Sequence, residues 1–310
     1  MSIKPVIKAY KAHRKATDKK QSKASPFIQW VGGKRQLMER YMEIFPKQFN
    51  DYYEPFLGGG SVFFHLHQIY GDKKNYFLSD LNEELVISYN EIKNNPSGVK
   101  DLYNQMYERH SKEFYYDIRN IDRTKVSDRK YEFKYDVCNT LPSVELAARF
   151  VYLNKTCFNA IYRVNKNKLF NVPIGTSLKK DFSVGNLFDL CSESLENITV
   201  KYNSYENIED SVKKGDFVYL DPPYAPMTAT ANFTSYTKEG FDVSDQKALK
   251  EFCDRLEKKG ALFAVSNSNC GLISSLYSEY NQHTFVVNRN LNSKKEKRKN
   301  ATEEILITNF

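Results

Sequence analysis

The chain has few cysteines, at positions 138, 157, 191, 253 and 270, and no two of them form a CxxC pair. That spacing offers no zinc ligand set, and an odd count is no disulfide framework. No metal site is expected, and a reducing cytoplasm is the compartment that suits such thiols. No stretch approaches about 18 uninterrupted apolar residues, the length that would read as a membrane-spanning helix. The N-terminus lacks the apolar middle of a signal peptide, so the expected location is cytoplasmic. There is a single tryptophan, Trp30, and there is neither an internal repeat nor a low-complexity linker.

Aromatic side chains, by contrast, are abundant. With 22 Tyr, 21 Phe and 41% apolar residues, the chain is expected to fold rather than remain disordered. At 310 residues it exceeds a typical domain of about 100 to 200 residues, which points to one large domain or a main domain with an insertion. The net charge of +8 is not spread evenly: residues 1–24 carry eight Lys or Arg against one Asp, and residues 289–299 carry six against one Glu. The rest of the chain is therefore net acidic. Two basic segments of this kind suit an anionic partner, although solvated tails would look the same.

Residues 1–24 are expected to be a mobile basic arm that turns helical on a polyanion, with order beginning near Pro26. The segment DYYEPF (51–56) reads as a strand, followed by Gly58, Gly59 and Gly60 and then by the helical run SVFFHLHQIY. A second strand, NYFLSD, ends at Asp80, and apolar residues at 81, 85, 86, 89 and 92 space the next segment as a helix. From about 94 to 197 the texture changes to Tyr, Asp, Arg and Lys, with helical periodicity in ELAARFVYLN and no apolar strand until ITVKYNS. Strands recur at ITVKYN, DFVYLD, ALFAVSN, HTFVVN and EILITNF, with a helix in SDQKALKEFCDRLEKK. The predicted fold class is α/β: an open, doubly wound sheet carrying a mostly helical insertion. The expected division is a basic arm (1–24), a sheet domain (25–93 and 198–310) and the insertion (94–197).

Gly58 and Gly60 stand between a predicted strand and a predicted helix, where glycine lets the backbone approach a ligand closely. Asp80 follows Gly60 by 20 positions, a spacing at which an acid ending the second strand accepts hydrogen bonds from ribose hydroxyls. The combination fits a nucleotide-like cofactor without naming it, and a purely structural turn would read the same way.

The tetrapeptide Asp221-Pro222-Pro223-Tyr224, at the end of the apolar strand DFVYL, is more specific. Two prolines fix φ and remove two backbone donors, so the turn is stiff. A carboxylate and a proline carbonyl together offer acceptors for both hydrogens of an aromatic amino group, and the Tyr ring offers a face for a planar base. Such a clamp suits a nucleobase extruded from a duplex. A polar turn after a strand is the bland alternative.

At these residues the chain resembles the Dam-type DNA adenine methyltransferases of bacteria, phages and restriction-modification systems. The matching segments, in family order over residues 26–310, are PFIQWVGGKRQL, YYEPFLGGGSVFF, LSDLNEEL, FNAIYRVNKNKLFNVPIG, FVYLDPPY, FTSYTKEGF and EEILITN. The resemblance implies a Rossmann-like methyltransferase sheet, S-adenosyl-L-methionine as cofactor, and the insertion as target-recognition region. It implies that Trp30, Lys34, Phe56, Gly58, Gly60, Asp80 and Asp221 surround the cofactor, and that Asp221, Pro222 and Tyr224 are catalytic. It further implies that Asn159, Ile161, Arg163 and Asn165 meet the DNA, Arg163 through a bidentate guanine contact and Ile161 as an apolar side chain inserted into the base stack. Trp30 read without the family fits ordinary core packing equally well. Lys34 in Gly32-Gly33-Lys34 is not a phosphate loop, because Ile28 and Arg35 stand where that pattern needs Gly and Ser or Thr.

The expected reaction is methylation of the adenine amino nitrogen in double-stranded DNA, within GATC, by alignment rather than by metal or covalent chemistry. No Cys lies in a motif of the cytosine-C5 type, which needs a thiolate nucleophile. A restriction endonuclease acting on the same site is an expected partner, and a membrane is not. A methyltransferase acting on RNA or another amino group would keep the DPPY turn, and whether residues 94–197 read duplex DNA separates the two. A nicotinamide-dependent oxidoreductase would share the glycine turn and Asp80 but leave DPPY unused, and a catalytically silent DNA-binding module would need neither Asp221 nor Tyr224.

Overall fold

A computed structural model of the protein describes residues 23–121, 142–165, 169–176, 182–225, 241–288 and 301–310. The basic arm but for its last two residues, the basic run 289–299 and most of FTSYTKEGF lie outside the described residues. The strands are β1 Tyr52–Glu54, β2 Tyr76–Asp80, β3 Lys201–Tyr202, β4 Phe217–Leu220, β5 Leu262–Ser268, β6 Asn281–Asn288 and β7 Ala301–Thr308. The α-helices are α1 Met38–Ile44, α2 Ser61–Tyr70, α3 Glu83–Asn94, α4 Pro96–Glu108, α5 Lys112–Asn120, α6 Ser143–Thr156, α7 Leu187–Ser194, α8 Val243–Lys258 and α9 Gly271–Leu276. The chain divides into two compact units, one of residues 1–33, 59–69 and 82–197, the other of residues 34–58, 70–81 and 198–310. No helix among the described residues is long and apolar enough to cross a membrane.

The second unit holds a seven-stranded sheet in the order β3-β2-β1-β4-β5-β7-β6. β1 to β5 run parallel and β7 is antiparallel to both neighbours. Sequence alternation and sheet class therefore agree, and the fold is Rossmann-like. β1 stops at Glu54 because Pro55 has no N–H for the ladder. β3 is shorter than the apolar run around it, pairing only at Ser79 and Asp80 of β2.

The side-chain period of two sorts each strand onto two faces. Tyr53, Val218, Leu220, Phe263, Val265, Ile305 and Ile307 share one core with Leu249, Phe252 and Leu256 of α8. On the other face Tyr52, Phe217 and Tyr219 meet Tyr41, Phe45 and Phe49. β1 and β4 are adjacent parallel strands, with Tyr52 opposite Phe217. Connections leave them toward opposite ends of the sheet, so their carboxyl ends mark the switch point where ligands bind in open α/β sheets.

The first unit is helical. α6 is buried nearly all round, through Leu146, Ala147, Ala148, Phe150, Val151 and Leu153, as expected of a helix at the centre of a bundle. α3, α4 and α5 pack around it. Each has a side-chain cap: Asn82 accepts from Leu85 N–H, Asn95 from Gly98 N–H and Ser111 from Phe114 N–H. The buried Arg149 of α6 donates to the Ile118 and Arg119 carbonyls near the end of α5 and pairs with Glu84 of α3 at 3.4 Å, satisfying acceptors that a helix end leaves open.

Asn154, also on α6 and fully buried, bonds both polar groups of Gln29: it accepts from the N–H at 2.9 Å and donates to the carbonyl at 2.8 Å. This fixes the segment that carries Trp30. Asn154→Ala removes both bonds and is expected to lower the unfolding free energy by about 1–3 kcal/mol. Urea denaturation measures this, and an unchanged midpoint would contradict the assignment.

Candidate active site

Two turns leave the carboxyl ends of β1 and β4. After β1, Gly58 and Gly60 take φ of 48° and 66°, left-handed values that favour glycine. The Gly58 N–H donates to Asp80 Oδ2 at 2.8 Å and the Leu57 N–H to the Ser79 carbonyl at 3.0 Å. The acid that ends β2 thus holds the glycine turn directly. Phe56 stacks on Tyr205 at 5.4 Å and meets Phe241 edge-on at 6.0 Å. Beside Asp80, two apolar side chains are conspicuously open: Leu81 (58% exposed) and Tyr202 (60%), the latter paired in register with Asp80. Neither stands out in the sequence as a site residue.

After β4, every part of the Asp221–Ala225 turn except Pro222 is tied to a neighbouring element among the described residues. Lys34 Nζ reaches Asp221 Oδ2 at 2.5 Å, the ammonium being 2% exposed and the carboxylate side chain 21%. The same ammonium lies 5.0 Å from the Tyr224 ring centroid, a cation–π distance. Gln246 Nε2 donates to the Pro223 carbonyl at 3.0 Å. The Ala225 N–H donates to Asn267 Oδ1 at 3.0 Å, and Ser268 Oγ donates to the Ala225 carbonyl at 2.6 Å. Asn267 Nδ2 in turn donates to Gln246 Oε1 at 3.0 Å. The Tyr224 hydroxyl lies 2.8 Å from both Ser266 Oγ and Glu304 Oε2, and Ser266 Oγ lies 3.0 Å from the Tyr41 hydroxyl.

These surroundings set protonation. Burial pushes the Asp221 carboxyl above the usual range, the Lys34 ammonium opposes this, and the nearby Glu304 adds to it. The carboxylate is therefore a stronger base than an exposed aspartate. Burial also pushes the Tyr224 phenol far above its ordinary value, with Asp221 and Glu304 adding to the effect. The hydroxyl stays protonated and donates to Glu304.

Gln246, Ser266, Asn267, Ser268 and Glu304 were not singled out from sequence. The only signals were a polar Ser-Asn-Ser ending the apolar strand β5 and an acid at a core position of β7.

The proposed DNA-reading residues lie in the helical unit. Cys157 pairs with Ile174 and Val164 with Phe170, which closes a loop. The Asn171 N–H donates to the Arg163 carbonyl at 3.0 Å and the Leu169 N–H to Asn165 Oδ1 at 3.1 Å, so Asn165 helps to close it. Gly175 is required here, since a Cβ would sit 2.9 Å from the Thr156 carbonyl. Asn159 and Ala160 both take positive φ, 57° and 51°, strained for residues with a side chain. Arg163 is exposed and its Nε donates to Asn171 Oδ1 at 2.9 Å. Ile161 is partly exposed, whereas Tyr162 turns inward to donate to Glu84 Oε2 at 2.8 Å. Trp30 stacks on Tyr162 at 5.5 Å, so it packs against the loop base. Among the described residues no group of three or more His, Cys, Asp or Glu is placed to hold a metal ion.

The sequence model of the D12 class N6 adenine-specific DNA methyltransferases matches residues 30–298. A type II methyltransferase of Lactococcus lactis subsp. cremoris, M1.LlaDCHI, is 37% identical over 287 residues, spanning 92% of this chain and 95% of the relative. The type II methyltransferase M.MjaIII of Methanocaldococcus jannaschii is 38% identical over 300 residues, spanning 92% and 99%. A DNA adenine methylase of Vibrio cholerae is 31% identical over 287 residues, spanning 92% and 95%. With the DPPY turn at the switch point of a Rossmann-like sheet and these matches along most of its length, the chain belongs to the D12 class of N6 adenine-specific DNA methyltransferases.

Proposed function

We propose that the enzyme takes its methyl group from S-adenosyl-L-methionine and delivers it to an adenine turned out of duplex DNA, within GATC. One observation carries this reading: a rigid turn at the end of β4 offers an acid, a proline carbonyl and an aromatic ring beside the turn that follows β1. The Pro222 carbonyl accepts no hydrogen bond among the described residues, whereas those of Pro223 and Ala225 are occupied. Asp221 and Pro222 thus present acceptors for the two hydrogens of one amino group, and the Tyr224 ring presents a face for the base. Accepting both hydrogens draws electron density onto the amino nitrogen and favours its attack.

The cofactor's chemistry fits the residues present. Asp80 is the acid for ribose hydroxyls, Leu81 next to it in the chain and Tyr202 in register with it are open apolar surface, and Asp221 is an anion suited to a sulfonium. Lys34, Phe56, Gly58 and Gly60 belong to the same proposal, as does Trp30, whose stacking on Tyr162 fits core packing equally well. Bound S-adenosyl-L-methionine would supply a methyl carbon already activated on sulfur, whose bond electrons leave with the sulfur. The chain's part is to orient the amine, exclude water and receive its proton.

Residues 94–197 are proposed as the target-recognition domain, on the resemblance of residues 158–175 to the Dam-type segment. Arg163 reads a guanine, Asn159 and Asn165 meet a base edge or phosphate, and Ile161 enters the stack. Residues 1–24 and 289–299 add sequence-independent phosphate contacts that weaken with salt. The names of the type II relatives favour a cognate restriction endonuclease as partner.

Asp221→Ala is expected to abolish transfer of labelled methyl to DNA. Because it strands the buried Lys34 ammonium, it should also cost about 3 kcal/mol of stability, read by denaturation. Methylation at the wild-type rate would remove Asp221 from the mechanism. Arg163→Ala is expected to lose about 1–3 kcal/mol of discrimination at one base pair, measured by methylation-protection digests of DNAs varied one position at a time. An unchanged sequence preference would refute that role.

A further inference from the structure

Glu304 is an acid where the pleat of β7 demands a core residue. Leu306 and Thr308, at the same parity, are fully buried, and Glu304 is itself only 3% exposed. It stands in register with Ser268 of β5 and Phe285 of β6. A buried carboxylate costs several kcal/mol unless hydrogen bonds compensate it, and an apolar residue there would serve packing better. It accepts a hydrogen bond from the hydroxyl of Tyr224 at 2.8 Å. Ser266, on the neighbouring strand, shares that hydroxyl and passes the chain of bonds to Tyr41 of α1.

We propose that Glu304 is a positioning residue for methyl transfer, holding the Tyr224 ring through its hydroxyl while Lys34 holds Asp221 on the other side of the turn. The proposal rests on the reading of the DPPY turn as the amine clamp. The tyrosine is thereby fixed at its far end by Glu304 and Ser266, and the Lys34 ammonium lies against its ring. Losing the carboxylate removes the bond that the hydroxyl donates to Glu304, with Ser266 Oγ still in reach of it. The ring then rocks, and the fraction of bound adenine in attacking geometry falls.

A second effect follows from charge. The groups facing Asp221 are Lys34 before α1, Tyr41 on α1, Tyr52 on β1, Tyr219 on β4, Tyr224 in the turn and Glu304 on β7. Burial pushes the Asp221 carboxyl upward, Lys34 opposes this, and among these groups Glu304 adds to the rise. When the amino nitrogen bonds to the methyl carbon it must shed one proton, and Asp221 Oδ is the acceptor. An upward-shifted carboxylate receives that proton more readily, at the expense of activity in acid, where it is already protonated.

The test is steady-state methylation by the full-length protein, using duplex DNA and tritiated S-adenosyl-L-methionine across pH. Glu304→Ala is expected to lower kcat about tenfold or more, with KM for DNA and for S-adenosyl-L-methionine within about twofold. Glu304→Gln keeps an acceptor oxygen for Tyr224 but not the charge. It should restore most of kcat and move the acid limb of the kcat profile to lower pH. A wild-type kcat in Glu304→Ala, or an unmoved acid limb in Glu304→Gln, overturns the proposal. If Glu304→Ala does not fold, Tyr224→Phe, which removes the hydroxyl that Glu304 holds, decides instead: kcat should fall likewise, and an unchanged kcat overturns the proposal. Wild-type protein that methylates no DNA would instead retire the amine-clamp reading, whereas active wild type with unaffected variants retires only the role of Glu304.

Discussion

The anchoring of the turn from Asp221 to Ala225 is the constraint on which the rest of the site depends. Prolines stiffen the backbone, but stiffness alone does not aim it. Aim comes from four elements: Lys34 on the acid, Gln246 of α8 on the Pro223 carbonyl, the Ser-Asn-Ser end of β5 on Tyr224 and Ala225, and Glu304 of β7 on Tyr224. Each of these bonds contributes only about 1 kcal/mol net. Their value is geometric, since together they leave the turn one arrangement, and a reaction limited by alignment gains most from that.

Buried polarity on the α1 face of the sheet is costly. Tyr41, Tyr52, Tyr219 and Tyr224 line a region that also holds Glu54, Glu304, Asp221 and Lys34. Phenylalanine would fill the same volume without polar atoms to satisfy. The hydroxyls instead donate to acidic side chains, Tyr52 to Glu54 and Tyr224 to Glu304, which satisfies polar groups in a low-dielectric interior close to the switch point. That arrangement suits chemistry in which a cationic donor and a proton-shedding amine meet.

Much of this was legible in the sequence. The short apolar and aromatic runs located β1, β2, β4, β5, β6 and β7, the helical periodicity located α2, α3, α6 and α8, and the strand-glycine-helix and strand-DPPY patterns located both turns. These features are local, with the signal carried by neighbouring residues. The anchors of the DPPY turn were not legible, because Gln246, Ser266, Asn267 and Glu304 lie about 20 to 80 residues downstream and reach it only through strand register. Trp30 shows the same limit: its stacking on Tyr162 depends on how α6 and the loop after it pack, which no short motif encodes. β3 was overestimated, since an apolar run does not reveal how many of its residues find a ladder partner at a sheet edge.

The most direct test of the account is to identify the product. Wild-type protein would be incubated with unmethylated duplex DNA and S-adenosyl-L-methionine, and every modified base mapped and chemically characterised. The account predicts N6-methyladenine confined to a single duplex sequence, GATC. Methyl groups on cytosine, on RNA in preference to DNA, or on no nucleic acid at all would contradict it.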